Sequence, residues 1–484
     1  MSPFLLYCRV VNVVFVLSIA VYAVVLWAAG LGLKRRPGSL DAFFLASREL
    51  GAGRVAFSLC ASWIGAASLL VSTDEACRDG VSAIWIVGLP AVATLLILTA
   101  LARPIRAVSG LTPSALMRER YGKTAGTLTT VLVVWYMAVL AASQMVAAGP
   151  FLGAFLGTGP FLSLLLASGI VMVYSASGGL QAVARTHVLQ FALLVAGLAG
   201  MVAALVSRTT WSAVRAAAAG SGRTAYLDVF SGADRNVLIA LSFVLAWTIS
   251  PIAWQRMQAA RSEAASRRGT AAAAVLLGLF YAGIVAAGML FLPLFPDGGS
   301  GIPLVTRFVA SEAGSFLGGL LFVTVLAAIF STMDAALNAG AMTLTRELLG
   351  EPAGPGPGRR PLLVARAATS VLALAALLIA ARLGDILKTL GLASTIMAEG
   401  LLVPGIAALF LKKRAPLAGL LGLALGGGYA VLSFLSESGL PLLPVPAWPR
   451  SVPLGVALGA AGFAAGLLLE RFRGRRARRG SAAA

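Results

Sequence analysis

Apolar residues along this chain do not alternate with polar ones at the period of a surface helix or a strand; they come in long runs. A helix needs about 20 mostly apolar residues to cross a hydrocarbon core about 30 Å thick. Thirteen stretches qualify, at approximately 11–30, 55–73, 81–102, 125–148, 151–176, 187–206, 236–256, 270–293, 316–340, 362–381, 386–410, 415–435 and 452–470. The first reads as a span and not as a cleaved signal, being too long and lacking a clean small-residue cleavage site. Polar positions collect between the runs. The longest connections are roughly 207–235 and 341–361, and the second carries EPAGPGPGRRP, too rich in proline and glycine to bury a core. The pattern predicts an all-α integral membrane protein of about thirteen transmembrane helices, a single domain over residues 1–484.

Composition agrees and removes alternatives. The chain is 59% hydrophobic and 12% charged, with a mean hydropathy of +0.91, where soluble domains carry roughly 25% charge. One histidine and three scattered cysteines (Cys8, Cys60 and Cys77) imply neither a zinc site nor a disulfide framework. The net charge of +20 is a topology signal. With the N-terminus outside, 28 of the 38 Lys and Arg residues fall on the cytoplasmic side, among them Lys34–Arg36, Arg256, Lys412–Arg414 and the six arginines of the tail 471–484. That orientation, C-terminus cytoplasmic, suits a multi-pass protein of the plasma (inner) membrane whose basic loops meet anionic headgroups. A nucleic-acid partner is not expected from RFRGRRARRG. There is no Walker loop or Gly-rich phosphate cradle to drive pumping, and no enzyme is expected. A channel, a secondary transporter or a membrane sensor module remain.

Secondary transporters are often built from repeats whose matching helices break near mid-membrane. The second stretch reads AFSLCASWIGAASLLVS, with Ser62, Gly65 and Ser68 near its middle. The seventh reads LSFVLAWTISPIAWQR, with Ser250 and Pro251 deep in the pattern. The two lie five stretches apart, as the first helices of two five-helix repeats do; a proline kink with small-residue packing is the plainer alternative. In the ninth, VLAAIFSTMDAALNAGAMTL, Ser331 and Thr332 offer adjacent hydroxyls. A sodium ion takes such oxygens together with carbonyls freed by unwinding, although hydroxyls in membrane helices also bond back to their own helix.

Five motifs in order across roughly 45–425 resemble the sodium:solute symporter family, which includes proline, sugar, sialic acid and pantothenate transporters. They are LASRELG, YSASGGLQAVARTHVLQ (174–190), PIAWQRMQAARSEAASRRG (251–269), AAIFSTMDAALNA (327–339) and VPGIAALFLKKRAPLAGLLG (403–422). The resemblance implies a LeuT-like, five-plus-five inverted repeat. Residues 55–206 would form the first repeat and 236–411 the second, with an extra N-terminal helix at 11–30 and two more at 412–470. It implies sodium as the coupling ion, held by carbonyls of the broken first core helix and hydroxyls of the eighth: here Ala61 and Ile64 with Ala328, Ser331 and Thr332. Where the family usually has Asp in its T-D-x-x-Q helix, this chain has His187, which leads to the expectation of one sodium per cycle.

His187 stands between two readings, a proton carrier that tunes the cycle and a hydrogen-bonded residue at a helix mouth. Asp334, one turn from Asn338, reads as a structural hydrogen-bonding group or a coupling group, and Glu399 as a solute or proton contact or a carboxyl paired within the bundle. Phe243, Trp247 and Pro251 recur at i, i+4 and i+8 and would line one face toward a solute, as in the proline transporters the chain resembles. Trp63, Ser68 and Gln144 are further pocket candidates. The resulting expectation is sodium-coupled symport of a small amino acid such as proline, or an organic acid, in preference to a sugar. The rivals are a proton-coupled transporter using His187 and Glu399, and a non-transporting solute sensor. Nothing in the sequence sets the oligomeric state.

Overall fold

The computed structural model describes residues 12–31, 40–108, 112–296, 301–349, 359–411, 413–440 and 442–481. Lys34–Arg36, Lys412, most of the EPAGPGPGRRP linker and residues 482–484 lie outside the described residues, as do the tail's side chains beyond 473.

The described chain is helical, with a single bridge between Leu50 and Ala260. We number the long helices α1 Asn12–Leu31, α2 Ala52–Trp63, α3 Gly88–Ala100, α4 Lys123–Leu156 and α5 Pro160–Val206. After a short helix, Trp211–Gly220, follow α6 Ala233–Thr248, α7 Pro251–Gln258, α8 Glu263–Phe291 and α9 Phe316–Leu349. The remainder are α10 Arg359–Ala380, α11 Ile386–Gly400, α12 Leu402–Phe410, α13 Pro416–Glu437 and α14 Ser451–Ser481. Among the described residues eight helices are long and apolar enough to cross a bilayer, or ten with each bent pair taken as one span. Length and composition therefore do not reproduce the expected thirteen, because several spans are interrupted or short.

The interruptions have local causes. α2 ends at Trp63, where Ile64 leaves helical geometry (φ −85°, ψ 83°), and the chain resumes as one π turn, Ala67–Val71, and the helix Ser72–Asp79. Gly65, the poorest helix former after proline, sits in the gap. α6 and α7 are parted at Ile249 and Ser250 and bent by 41°. Pro251 opens α7 because it has no N–H to give and forces its predecessor out of the helical region; Ser250 accordingly takes φ −59°, ψ 121°. α11 and α12 are bent by 48°, between Glu399 and Pro404. α5 turns at Gly179 (φ +58°), where an added Cβ would lie 2.2 Å from the Phe43 carbonyl oxygen. The sixth expected span thus begins at 179 and not at 187, and the fifth at 160 and not at 151.

α9 is the axis of the molecule. From Val325 to Met342 it is buried on every side, the mark of a helix that meets protein all round. It packs on α2, α4, α5 and α10, while α13 and α14 pack on each other and against α11.

Candidate functional site

The gap in α2 lies beside the middle of α9, and the side chains there explain one another. The Ser331 hydroxyl donates to the Ala61 carbonyl across the interface (2.7 Å) and lies 3.2 Å from the Ala328 carbonyl of its own helix. Thr332, next to it, behaves differently. Its Oγ1 is buried and has no hydrogen-bond partner, although most membrane threonines bond back to their helix. A buried hydroxyl without a partner is costly, so it marks a position arranged for something that protein atoms do not supply. A Cβ on Gly65 would come within 3.0 Å of it, which places the hydroxyl against the gap where the chain is unwound. Ala61, Ala328, Ser331 and Thr332 are thus gathered at one point, and Ile64 sits at the helix break with its dihedral angles out of helical range. These are oxygen donors without net charge, suited to a hard monovalent cation. Among the described residues no group of three or more His, Cys, Asp or Glu could hold a metal ion.

A small cavity of about 40 Å³ adjoins this point, lined by Trp63, Ser68, Gln144, Trp247 and Thr332, with Ser62, Tyr136 and Ser250. It has room for about two or three waters. The Trp63 and Trp247 rings lie 5.6 Å apart, and Phe243 stacks behind Trp247 at 4.8 Å and 14°. Gln144 braces the break in α2. Its Oε1 accepts the Ala66 N–H freed there (2.9 Å), and its Nε2 donates to Ser143. Ser68 is bonded to the Tyr281 hydroxyl at 2.7 Å.

Three expected pocket residues are not brought to the cavity. Phe243 lies one residue layer behind, against Trp247 and Trp448. Pro251 does not extend the Phe243–Trp247 face, because the i, i+8 relation is lost at the break it helps to create; Ser250 and Ile252 line the cavity instead. Glu399 points away, fully buried, where Ser451 donates to it at 3.1 Å and Ser433 at 3.5 Å. A Cβ on Gly455 of α14 would reach its side chain at 2.5 Å, so Glu399 is one of the contacts between α11 and the last two helices.

His187 and Asp334 form part of a buried network. His187 Nε2 meets Asp334 Oδ1 at 2.9 Å, and Nδ1 meets the Ser58 hydroxyl at 2.9 Å, with both ring and carboxylate wholly buried. Since α5 resumes at Gly179, the imidazole is two turns inside its helix, not at the mouth. Asn338 accepts from Gln255 Nε2 at 2.8 Å. Arg256 completes the network, its Nε donating to Ser58 at 3.1 Å and its Nη1 to the Ile252 carbonyl at 3.1 Å. It is fully buried, not the loop cation that its place among basic neighbours suggests. The imidazole thus joins Ser58 to Asp334, and Arg256 meets the same serine from α7.

Sequence reasoning named Ser62 at the helix break without assigning it to the pocket, and missed Tyr136 and the burial of Arg256. Tyr136 was visible as the i−8 neighbour of Gln144 on the same face of α4. Arg256 carried no such signal, because only the tertiary fold separates it from Arg261 and Arg267.

Comparison with known proteins agrees with this architecture. Residues 43–426 match the model of the sodium:solute symporter family. A sodium/glucose cotransporter of Vibrio parahaemolyticus is 27% identical over 448 residues, covering 82% of this chain and 79% of that protein. In fold, the chain is similar to a substrate-bound, outward-open Na+-coupled sialic acid symporter, with a TM-score of 0.76 at 16% identity and coverage of 94% and 98%. It is more distantly similar to a nucleobase-cation-symport-1 family transporter in a closed conformation, with a TM-score of 0.52 at 16% identity and coverage of 89% and 94%. With a multi-pass helical fold, discontinuous helices meeting at a cavity and a match over most of its length, the chain belongs to the sodium:solute symporter family.

Proposed function

We propose that the protein couples one sodium ion to each small solute it moves by alternating access, the solute being a small amino acid such as proline, or an organic acid, in preference to a sugar. The observation that carries this reading is the unpartnered Thr332 hydroxyl facing the gap in α2, beside the Ser331–Ala61 contact. The ligands of such a sodium site belong to two elements, α2 and α9. Separating them to open an inner gate releases the ion, and its return holds them together, so ion and solute occupancy are linked. The repeats 55–206 and 236–411 supply the moving parts in this reading, with the N-terminus outside and the C-terminus cytoplasmic in the plasma membrane.

The preference for the solute rests on what lines the cavity. Two tryptophan rings line it, and the Gln144 and Ser68 polar atoms already serve protein partners. A sugar needs a free donor or acceptor for each hydroxyl, because a buried polar group left unpaired is costly. A compact solute with an apolar body needs few. The driving force is adequate: one sodium crossing 100 mV yields about 2.3 kcal/mol, and a tenfold gradient adds about 1.4 kcal/mol. Together they sustain a neutral-solute ratio of a few hundredfold, at about 1.4 kcal/mol per tenfold.

Uptake into proteoliposomes tests this, with a panel of amino acids, organic acids and sugars under an inward sodium gradient. Sodium-dependent uptake of an amino or organic acid, hyperbolic in sodium, is expected. Uptake of a sugar alone would overturn the solute assignment, and a sigmoidal sodium dependence would overturn the single ion.

A further inference from the structure

A second polar cavity, of about 250 Å³, lies apart from the solute site, where the short helix Pro113–Tyr121 meets the start of α4 and the end of α9. Its lining includes Thr112, Ser114, Arg118, Thr130, Arg346 and Glu347. The charges there are largely accounted for. Glu347 is neutralised by Arg118 and accepts hydrogen bonds from the Thr127 and Thr130 hydroxyls (2.8 and 3.1 Å). Arg346 Nη2 donates to Asp41, an exposed residue at the rim (2.9 Å). Thr112 caps the short helix through the Ala115 N–H (3.1 Å).

Two groups remain. The Ser114 hydroxyl and the Arg346 Nε–H are both buried and have no partner; Ser114 is 4% exposed and the Arg346 side chain 10%. Both belong to residues that line the cavity, and both can donate. Ser114 stands in the first turn of a nine-residue helix, whose N-terminal end carries the positive pole of its dipole. Two guanidiniums face one carboxylate whose oxygens are already engaged. Unused donors, a helix N-terminus and a planar guanidinium edge are the combination that recognises a tetrahedral oxyanion.

We propose that this cavity binds a phosphate group, either free in the cytosol or on the headgroup of an inner-leaflet phospholipid. The orientation from the basic loops puts residues 103–123 on the cytoplasmic side, where both sources occur. Arg346 lies on α9, the helix that carries Ser331 and Thr332. A phosphate held between Ser114 and Arg346 therefore ties the end of that helix to Pro113–Tyr121 and offers a regulatory handle on the sodium-bearing element. This site is independent of the assignment of the solute.

The test is thermal unfolding of the full-length protein in detergent at fixed NaCl, titrated with potassium phosphate against potassium chloride of equal ionic strength. Wild type, Arg346→Gln and Ser114→Ala are compared, and a sodium titration of each confirms that the variants are folded. Phosphate raises protein stability generally by exclusion from surfaces, so the informative quantity is the difference between wild type and variants. A saturable shift is expected, its midpoint moved about tenfold or more to higher phosphate in Arg346→Gln, as suits the loss of a charge-assisted bond, and several-fold in Ser114→Ala. A parallel arm uses nanodiscs of phosphatidylcholine with and without phosphatidylglycerol. If only the anionic lipid gives a shift that Arg346→Gln removes, the phosphate group is the lipid's. Equal shifts in all three proteins in both arms, or no shift in either, would overturn the proposal.

Discussion

Replacing Thr332 with valine removes one oxygen and keeps the shape of the side chain. In the sodium-free protein that oxygen has no partner, so Thr332→Val breaks no bond and stability without sodium should be unchanged or slightly higher. With sodium the balance reverses. An interaction between a polar group and a charge is worth about 1.5–3 kcal/mol, which corresponds to a loss of roughly 10- to 150-fold in sodium affinity. At a sodium concentration 100 times the dissociation constant the ion stabilises the wild type by about 2.7 kcal/mol. A 30-fold weaker site retains about 0.9 kcal/mol of that. Ser331→Ala provides the contrast, because Ser331 already bonds to the Ala61 carbonyl. Its loss should cost about 1 kcal/mol even without sodium. The assay is unfolding of the purified protein in NaCl against choline chloride at equal ionic strength, followed by uptake in liposomes. An unchanged sodium midpoint in Thr332→Val would refute the assignment of the ion to this point.

Gly65→Ala should push the Gln144 amide and the Thr332 hydroxyl apart, since its Cβ would lie 2.8 and 3.0 Å from them; a loss of about 1–3 kcal/mol in unfolding free energy and of sodium-driven uptake is expected. Gly179→Ala combines positive φ with a clash at the Phe43 carbonyl; unfolding should show a loss of at least about 1–3 kcal/mol, with sodium affinity retained in whatever protein folds. His187→Ala should lower stability in unfolding even without sodium, because the ring joins Ser58 to Asp334 inside the bundle; unchanged stability would refute that structural role. Glu399→Gln should leave sodium affinity and solute KM unchanged, since its partners are Ser433 and Ser451; a raised KM would return the residue to the pocket.

The parts legible in the sequence are those that depend on local chemistry. Gly65 and the Ser250–Pro251 pair interrupt otherwise apolar runs, and the helices break where those residues fall. Ser331 and Thr332 are adjacent in sequence, and α9 turns both toward the break in α2. What stayed hidden depends on packing between distant segments. Whether Pro251 continues the face of Trp247 is decided by the bend, which rephases every residue after it. The surroundings of Glu399 are built by Ser433 and Ser451, both beyond residue 426, where the family match ends. Arg256 looks like a loop cation until α2 and α9 pack on its helix. His187 could be noticed as a departure from the family pattern, but its partner Asp334 lies 147 residues away.

The central claim is that sodium bound between α2 and α9 drives the solute. It is tested most directly in liposomes carrying an imposed inward sodium gradient and no pH gradient. Solute should accumulate against its own gradient, with accumulation abolished by a sodium ionophore, untouched by a protonophore and absent in choline. Accumulation in choline driven by an imposed pH gradient would contradict the account.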